Sequence, residues 1–278
     1  MSKNQLSINP NRCRHCLLCV RECPLKVLEM HDGVVRYAEN GEDRCFRCQH
    51  CMAICPYGAI SIFGVDPDKC SDAACGVEGT DLIRLMKGRR TCRNYRNENV
   101  EHELIDELVR VLKWAPTGVN DHHLRFTVIG DVVEMDKIRD YINSKLIKIM
   151  AESPESYAAK AFGRYRYWIE QGRDVLFRGA PHMLIVSSPK NAPCAAVDPV
   201  IALSYFELLA AAHGLGTTWC GLAKMGFLLV APELLKKINI PDDYEFGYAM
   251  LFGNPRWNFV RGTMPEEEVV DYVHDLDL

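Results

Sequence analysis

Cys13-Arg14-His15-Cys16-Leu17-Leu18-Cys19-Val20-Arg21-Glu22-Cys23-Pro24 recurs further along the chain as Cys45-Phe46-Arg47-Cys48-Gln49-His50-Cys51-Met52-Ala53-Ile54-Cys55-Pro56. Each copy has the form C-x-x-C-x-x-C-x-x-x-C-P. The tight spacing lets three thiolates converge on one face of a cubic iron–sulfur cluster, while the fourth cysteine, followed by proline, points away and ligates the other cluster. This predicts one [4Fe–4S] cluster on Cys13, Cys16, Cys19 and Cys55, and a second on Cys45, Cys48, Cys51 and Cys23. Zinc sites prefer four ligands in two separated pairs, whereas each run here brings three close cysteines and a Cys-Pro. A disulfide framework needs an oxidising compartment, and residues 1–10 hold no apolar segment that reads as a signal peptide.

At 278 residues the chain exceeds a typical single domain, so two domains are expected. A hydrophobic content of 48% and a charged content of 25% are ordinary for a globular chain. The formal net charge of −4 argues against nucleic acid as a partner, since phosphate binding calls for a basic surplus. No run approaches the roughly 20 continuous apolar residues of a membrane span. The longest candidate, Val197 to Leu215, is broken by Asp198, Glu207 and His213 and reads as a buried amphipathic helix. A cytoplasmic protein in a reducing interior is expected.

Residues 1–65 hold all eight motif cysteines, with short strands at Leu6-Ser7-Ile8 and Ala59-Ile60-Ser61-Ile62. The paired pattern resembles bacterial two-cluster ferredoxins over this whole segment. So small a module has little apolar core, and its stability should depend on metal–thiolate bonds. Residues 66–80 are polar and aperiodic and read as a linker; Cys70 and Cys75, which fit neither run, read as bystander thiols. Residues 81–278 then form the second domain.

There, helices are expected over Thr80–Gly88, 101–115 (stopped by Pro116), much of 133–178, Asp198–Ala212, Pro232–Ile238 and Glu266–Asp277. Strands are expected at Leu124–Gly130, His182–Ser188 and Glu245–Gly253. Helices interleaved with few strands give the class α+β. Three segments carry chemistry. Arg89-Arg90-Thr91-Cys92-Arg93 offers forked guanidinium donors and a hydroxyl, which suits a terminal phosphate, though a basic surface turn has the same look. Ala115-Pro116-Thr117-Gly118-Val119-Asn120 puts small residues and an amide at a helix end, either for a flat ligand or as an ordinary helix stop. Gly214-Leu215-Gly216-Thr217-Thr218-Trp219-Cys220-Gly221-Leu222 permits close backbone approach but has the wrong spacing for a dinucleotide fingerprint.

Taken in order, these segments resemble the nitroreductase family of FMN enzymes over roughly 80–262, and the whole chain resembles ferredoxin–nitroreductase fusions. The resemblance implies a mixed sheet flanked by helices in a domain-sharing homodimer. It implies that Arg89, Arg90, Thr91 and Arg93 hold the FMN phosphate, with Arg261 completing the site and Arg256 as the fallback. It implies that Pro116, Thr117, Gly118 and Asn120 reach the flavin of the neighbouring subunit, and that Trp219, Gly221 and Leu222 lie along its ring. The implied route runs from an external low-potential donor, ferredoxin or similar, through both clusters to FMN, and then as hydride to a small electron-poor acceptor such as a nitroaromatic. An electron carrier without its own substrate, or a reductase of activated C=C or C–halogen bonds, are the alternatives. No catalytic side chain is singled out, because the protein's part is to position and tune the flavin. Asp121-His122-His123 departs from the family pattern and is either substrate-facing or a solvated turn. The aromatic insert with Tyr157, Phe162, Tyr165, Tyr167 and Trp168 either covers the flavin or packs a dimer. His213 and Cys220 read as packing residues.

Overall fold

A computed structural model describes residues 5–73 and 76–276. It divides into two compact units, one of Met1–Gly76 with Thr117–His122, the other of Val77–Pro116 with His123–Leu278. The division at 76/77 falls inside the expected linker. The segment 117–122, which the sequence assigned to the second domain, packs as part of the first unit.

The first unit is two short antiparallel ribbons with cluster loops between them. Strand β1 (Leu6–Ile8) leads to helix α1 (Leu18–Glu22), then β2 (Leu28–His31) and β3 (Val34–Tyr37) form a hairpin that the sequence reading missed. Two four-residue helices, α2 (Gly41–Arg44) and α3 (His50–Ala53), precede β4 (Ile60–Ile62), which pairs with β1. Val27, Leu28, Val35, Met52, Ile60 and Ile62 make a small apolar core. The unit runs on past residue 65 because Pro67–Lys69 forms a 3-10 turn capped by Asp66, and the Arg12 guanidinium forks onto Asp68 at 2.7 and 2.8 Å.

In the second unit, α4 (Gly79–Gly88) and α5 (His102–Val111) precede β5 (Arg125–Ile129). Next come α6 (Val132–Glu152), α7 (Tyr157–Ala161), α8 (Arg166–Glu170) and β6 (His182–Pro189). The order ends with α9 (Asp198–Ala212), β7 (Gly216–Trp219), α10 (Gly221–Met225), α11 (Leu234–Lys237) and β8 (Tyr244–Gly253). Asp131 caps α6 by accepting from Val133 N at 2.7 Å. A proline in the first turn of α9 leaves no backbone N–H unsatisfied there.

The sheet order is β5-β6-β8-β7, with every neighbouring pair antiparallel and one parallel bridge, Thr91–Thr217, at the β7 edge. Both faces of the central strands are covered. Met183 and Ile185 of β6 face a core with α6 and Phe227, while Leu184 and Val186 face α5 and α9. This two-sided burial is why His182–Ser188 reads as one continuous apolar run rather than an alternation.

Two expectations fail. The predicted Gly-rich turn after α9 contains a strand, β7, whose partner β8 lies far along the chain. The predicted helix Glu266–Asp277 is absent: residues 264–276 carry no regular structure, and Val269 and Tyr272 are exposed. An amphipathic segment of this length is marginal without a surface to bury its apolar stripe. Its Asp277 lies outside the described residues. Among the described residues no helix is long and apolar enough to cross a membrane.

Candidate iron–sulfur and flavin sites

The first unit gathers the eight motif cysteines into two sets drawn from both copies. Cys13, Cys16, Cys19 and Cys55 line one cavity, and Cys23, Cys45, Cys48 and Cys51 line another. Each set takes three cysteines from one run and the Cys-Pro cysteine from the other. Every described cysteine is a free thiol.

The backbone repeats along with the sequence. His15 and Arg47, Leu17 and Gln49, and Lys26 and Gly58 occupy corresponding positions, and all have φ between 50 and 61°. A left-handed conformation costs a non-glycine residue roughly 1–2 kcal/mol. Alternating it with right-handed residues turns successive N–H groups inward, the arrangement that cradles anions. Several amides already aim at sulfur: Arg47 N donates to Cys45 Sγ at 3.4 Å, Ala59 N to Cys55 Sγ at 3.4 Å and Val27 N to Cys23 Sγ at 3.5 Å. Burial pushes the Cys51 thiol up to about 11 and the Cys19 thiol upward as well. Only a bound cation would hold both as thiolates near neutral pH. The donor set and the inward amides fit a pair of anionic iron–sulfur cubes. Cys70 lines neither cavity and sits 3.7 Å from Asp66 O, while Cys75 lies outside the described residues.

One polar group is left over at the second cavity. The Tyr37 hydroxyl is buried without a hydrogen-bond partner and faces the Cys45 side chain. Burial, followed by the neighbouring Cys45, drives its pKa well above the ordinary phenol value. Sequence reasoning did not single it out, because the hairpin that Tyr37 ends was itself missed.

In the second unit, three stretches converge at the β7 edge. Residues 91–95 lie along β7: Cys92 N donates to Thr217 O at 2.8 Å, and Tyr95 OH lies 2.9 Å from both Cys92 O and Thr218 Oγ1. Thr218 Oγ1 also donates to Cys92 O. Gly216 permits this approach, since a Cβ there would sit 2.6 Å from Cys92 Sγ. The chain after β8 returns to the same place. Arg256 N donates to Asn94 O at 2.9 Å, and a Cβ on Gly262 would lie 3.5 Å from Arg90 Nη2. The expected phosphate segment and the neighbourhood of Arg261 are therefore together. Arg261 and Arg93 are exposed.

The arginines differ in what holds them. Arg89 Nη1 donates to Glu207 Oε1 of α9 at 2.9 Å, with both side chains largely buried. Arg90 Nη1 donates to Arg89 O, while Arg90 Nε is buried and unpartnered. A buried guanidinium N–H without an acceptor is costly, and a phosphate oxygen would satisfy it. The residues thus fit an anionic headgroup. Glu207 was seen in the sequence only as an interruption of an apolar run, and that interruption was the available signal.

At the other end of β7, Trp219 stands 5.6 Å from Tyr248. Gly221 opens α10, and a Cβ there would lie 2.9 Å from the Tyr248 hydroxyl. Cys220 accepts from Ala223 N, its thiol lies 3.0 Å from Leu176 O, and burial raises its pKa to about 11. These are the traits of a packing thiol, not a nucleophile. His213, at the end of α9, is exposed. Pro116 ends the short 3-10 turn after α5, whereas Thr117, Gly118 and Asn120 belong to the first unit. Asn120 Nδ2 donates to Phe46 O at 2.9 Å, and Asn120 Oδ1 lies 2.9 Å from His122 Nε2. His122 and His123 are exposed. In the aromatic insert Phe162 is buried, Tyr157 and Tyr167 are exposed, and Arg173 lies over the Trp168 ring at 4.4 Å.

Comparison with known proteins accounts for both units. The nitroreductase family model matches residues 86–254, more than half of the chain, and a 4Fe-4S dicluster domain matches residues 12–59. The iodotyrosine deiodinase of Thermotoga neapolitana is 26% identical over 140 residues, 49% of this chain and 71% of that protein. A ferredoxin of Methanothermococcus thermolithotrophicus is 34% identical over 59 residues, 20% of this chain and 95% of that protein. A crystal structure of a nitroreductase with bound FMN from Desulfitobacterium hafniense superposes with a TM-score of 0.56 at 23% identity, covering 70% of this chain and 98% of that one. Other curated relatives match over 58 to 96 residues, and the chain spans only 14 to 40% of their length. An antiparallel sheet buried between helices, preceded by a doubled cysteine motif, defines an iron–sulfur flavin oxidoreductase of class α+β. The chain belongs to the nitroreductase family and carries a dicluster ferredoxin domain ahead of its family domain.

Proposed function

We propose that this protein is a reductase that takes single electrons from an external low-potential donor, ferredoxin or similar, and delivers them in pairs to a small electron-poor acceptor. When bound, the two [4Fe–4S] clusters supply one-electron carriers and FMN supplies the group that releases a hydride. The observation that carries this reading is the crossed sorting of eight cysteines into two cavities, ahead of a nitroreductase-family domain.

The chain's own residues then have definite tasks. Cys13, Cys16, Cys19 and Cys55 hold one cluster; Cys45, Cys48, Cys51 and Cys23 hold the other. Arg90 directs its free Nε–H to the flavin phosphate, with Arg89, Thr91, Arg93 and Arg261 around it. Glu207 fixes the Arg89 fork so that the remaining donors stay oriented. Trp219, Gly221 and Leu222 give the ring a flat wall that a side chain at 221 would spoil. Pro116, Thr117, Gly118 and Asn120 act on the flavin of a second copy in a homodimer. The exposed apolar residues of α4 (Leu82, Ile83, Met86) and of the tail after β8 (Trp257, Phe259) support such a pairing.

A nitroaromatic is the first acceptor to test. Likeness to an iodotyrosine deiodinase favours an aromatic carbon–halogen bond as the second. The deciding experiment is anaerobic steady-state turnover of a nitroaromatic and of a halophenol, with reduced ferredoxin against NAD(P)H as donor. Turnover with ferredoxin alone is expected. Equal activity with NADPH after replacing Cys13 and Cys45 would overturn the electron route.

A further inference from the structure

Of the buried polar side-chain atoms without a partner among the described residues, the Tyr37 hydroxyl is the one that lies at a cluster cavity. The phenol ends β3, packs against the module's apolar core and lines the cavity, with its hydroxyl buried. Most of the cavity wall is apolar: Leu25, Val27, Leu28 and Ile62 stand beside the four cysteines, with Gln49 and His50 as the other polar residues. The other cavity has a different tyrosine, Tyr57, which is 48% exposed and therefore open to water. The two sites thus differ in their polar surroundings: a buried phenol at one, the exposed Tyr57 with Arg14 and His15 at the other.

We propose that the Tyr37 hydroxyl donates a hydrogen bond to the Cys45 thiolate and thereby raises the reduction potential of the cluster held by Cys23, Cys45, Cys48 and Cys51. This deepens, and rests on, the reading of the module as a pair of electron carriers. Reduction adds one electron from the external donor to the cluster and makes or breaks no bond, and the tyrosine keeps its proton. The added negative charge falls partly on the cysteine sulfurs, so a donor aimed at one of them stabilises the reduced state more than the oxidised one. Apolar burial acts the other way, because a low-dielectric wall resists added charge. The hydroxyl offsets that resistance at the one cavity that lacks a water-exposed tyrosine. Asn120 binds the carbonyl of Phe46 in this same loop, so the tuned cluster is also the one braced by the 117–122 segment.

The test is an EPR-monitored redox titration of anaerobic wild-type protein and of Tyr37→Phe. Two cluster signals are expected, and the substitution should lower the midpoint of one while leaving the other in place. A tenfold fall in the reduced-to-oxidised ratio at fixed potential corresponds to about 59 mV for a one-electron couple. Two assembled clusters with unmoved midpoints overturn the role of Tyr37 and leave the carrier reading intact. Loss of every iron–sulfur signal in the wild type counts against the carrier reading instead. Should Tyr37→Phe fail to assemble its cluster, wild-type protein containing fluorotyrosine serves. Its more acidic hydroxyl donates more strongly and should raise one midpoint; an unchanged pair refutes the proposal.

Discussion

Stability should fall on mild acidification because of one histidine, His182. It opens β6 fully buried, its Nε2 accepts from Val100 N at 2.9 Å, and it stacks on Phe252 at 5.1 Å. Burial lowers its pKa from 6.5 to about 4. The folded chain therefore keeps His182 neutral between these values, while the unfolded chain binds a proton there. More protons on the unfolded state means that stability drops as pH falls through 6.5 and levels off near 4. Two and a half pKa units amount to roughly 3.4 kcal/mol over the whole window, of which about 1.4 kcal/mol is lost between pH 7.5 and 5.5. The assay is denaturant unfolding of anaerobic protein at both pH values, beside His182→Gln, whose amide oxygen can still accept from Val100 N but does not titrate. The variant is expected to be less stable at pH 7.5, and its deficit to shrink by about 1.4 kcal/mol at pH 5.5. A deficit that stays the same at both pH values would show that His182 does not titrate between the folded and unfolded states as its burial requires.

Other predictions concern the redox sites. Arg90→Ala should weaken FMN retention by about 1.5–3 kcal/mol, the scale of a charged hydrogen bond; unchanged flavin absorbance after dialysis removes Arg90 from the phosphate site. Arg93→Ala should do the same by an amount at the low end of that range, since its side chain is exposed. Cys55→Ala should abolish the EPR signal of the cluster on Cys13, Cys16 and Cys19 while sparing that on Cys45, Cys48 and Cys51; loss of the opposite signal would reverse the ligand sets. Gly221→Ala should cost on the order of 1–3 kcal/mol of stability by crowding the Tyr248 hydroxyl. Tyr248→Phe in the same chain should recover part of that, and strict additivity in the double-mutant cycle would show that the two groups do not meet.

Whatever is written in local spacing could be read from the residues alone. The cysteine runs, the glycine and proline stops, the apolar period of α5 and the continuous apolar runs of α9 and β6 are set by neighbours a few residues apart. The crossed sorting of the cysteines into two cavities was legible for the same reason, since the spacing turns each Cys-Pro cysteine away from its own run. The rest arises from contacts between distant parts of the chain. β7 is four residues whose strand character exists through β8, and Glu207 acquires its partner Arg89 from a distant helix end. The Asn120 amide meets Phe46 across the boundary that the sequence drew at residue 65. The tail after β8 has a helical pattern and yet no helix, because an apolar stripe needs a surface to cover it. Tyr37 carried no signal in the sequence, and packing buried its hydroxyl beside Cys45 without a hydrogen-bond partner. Chain-local chemistry fixes which groups are present, whereas desolvation and partnership, which fix what those groups can do, arise between residues far apart in the chain.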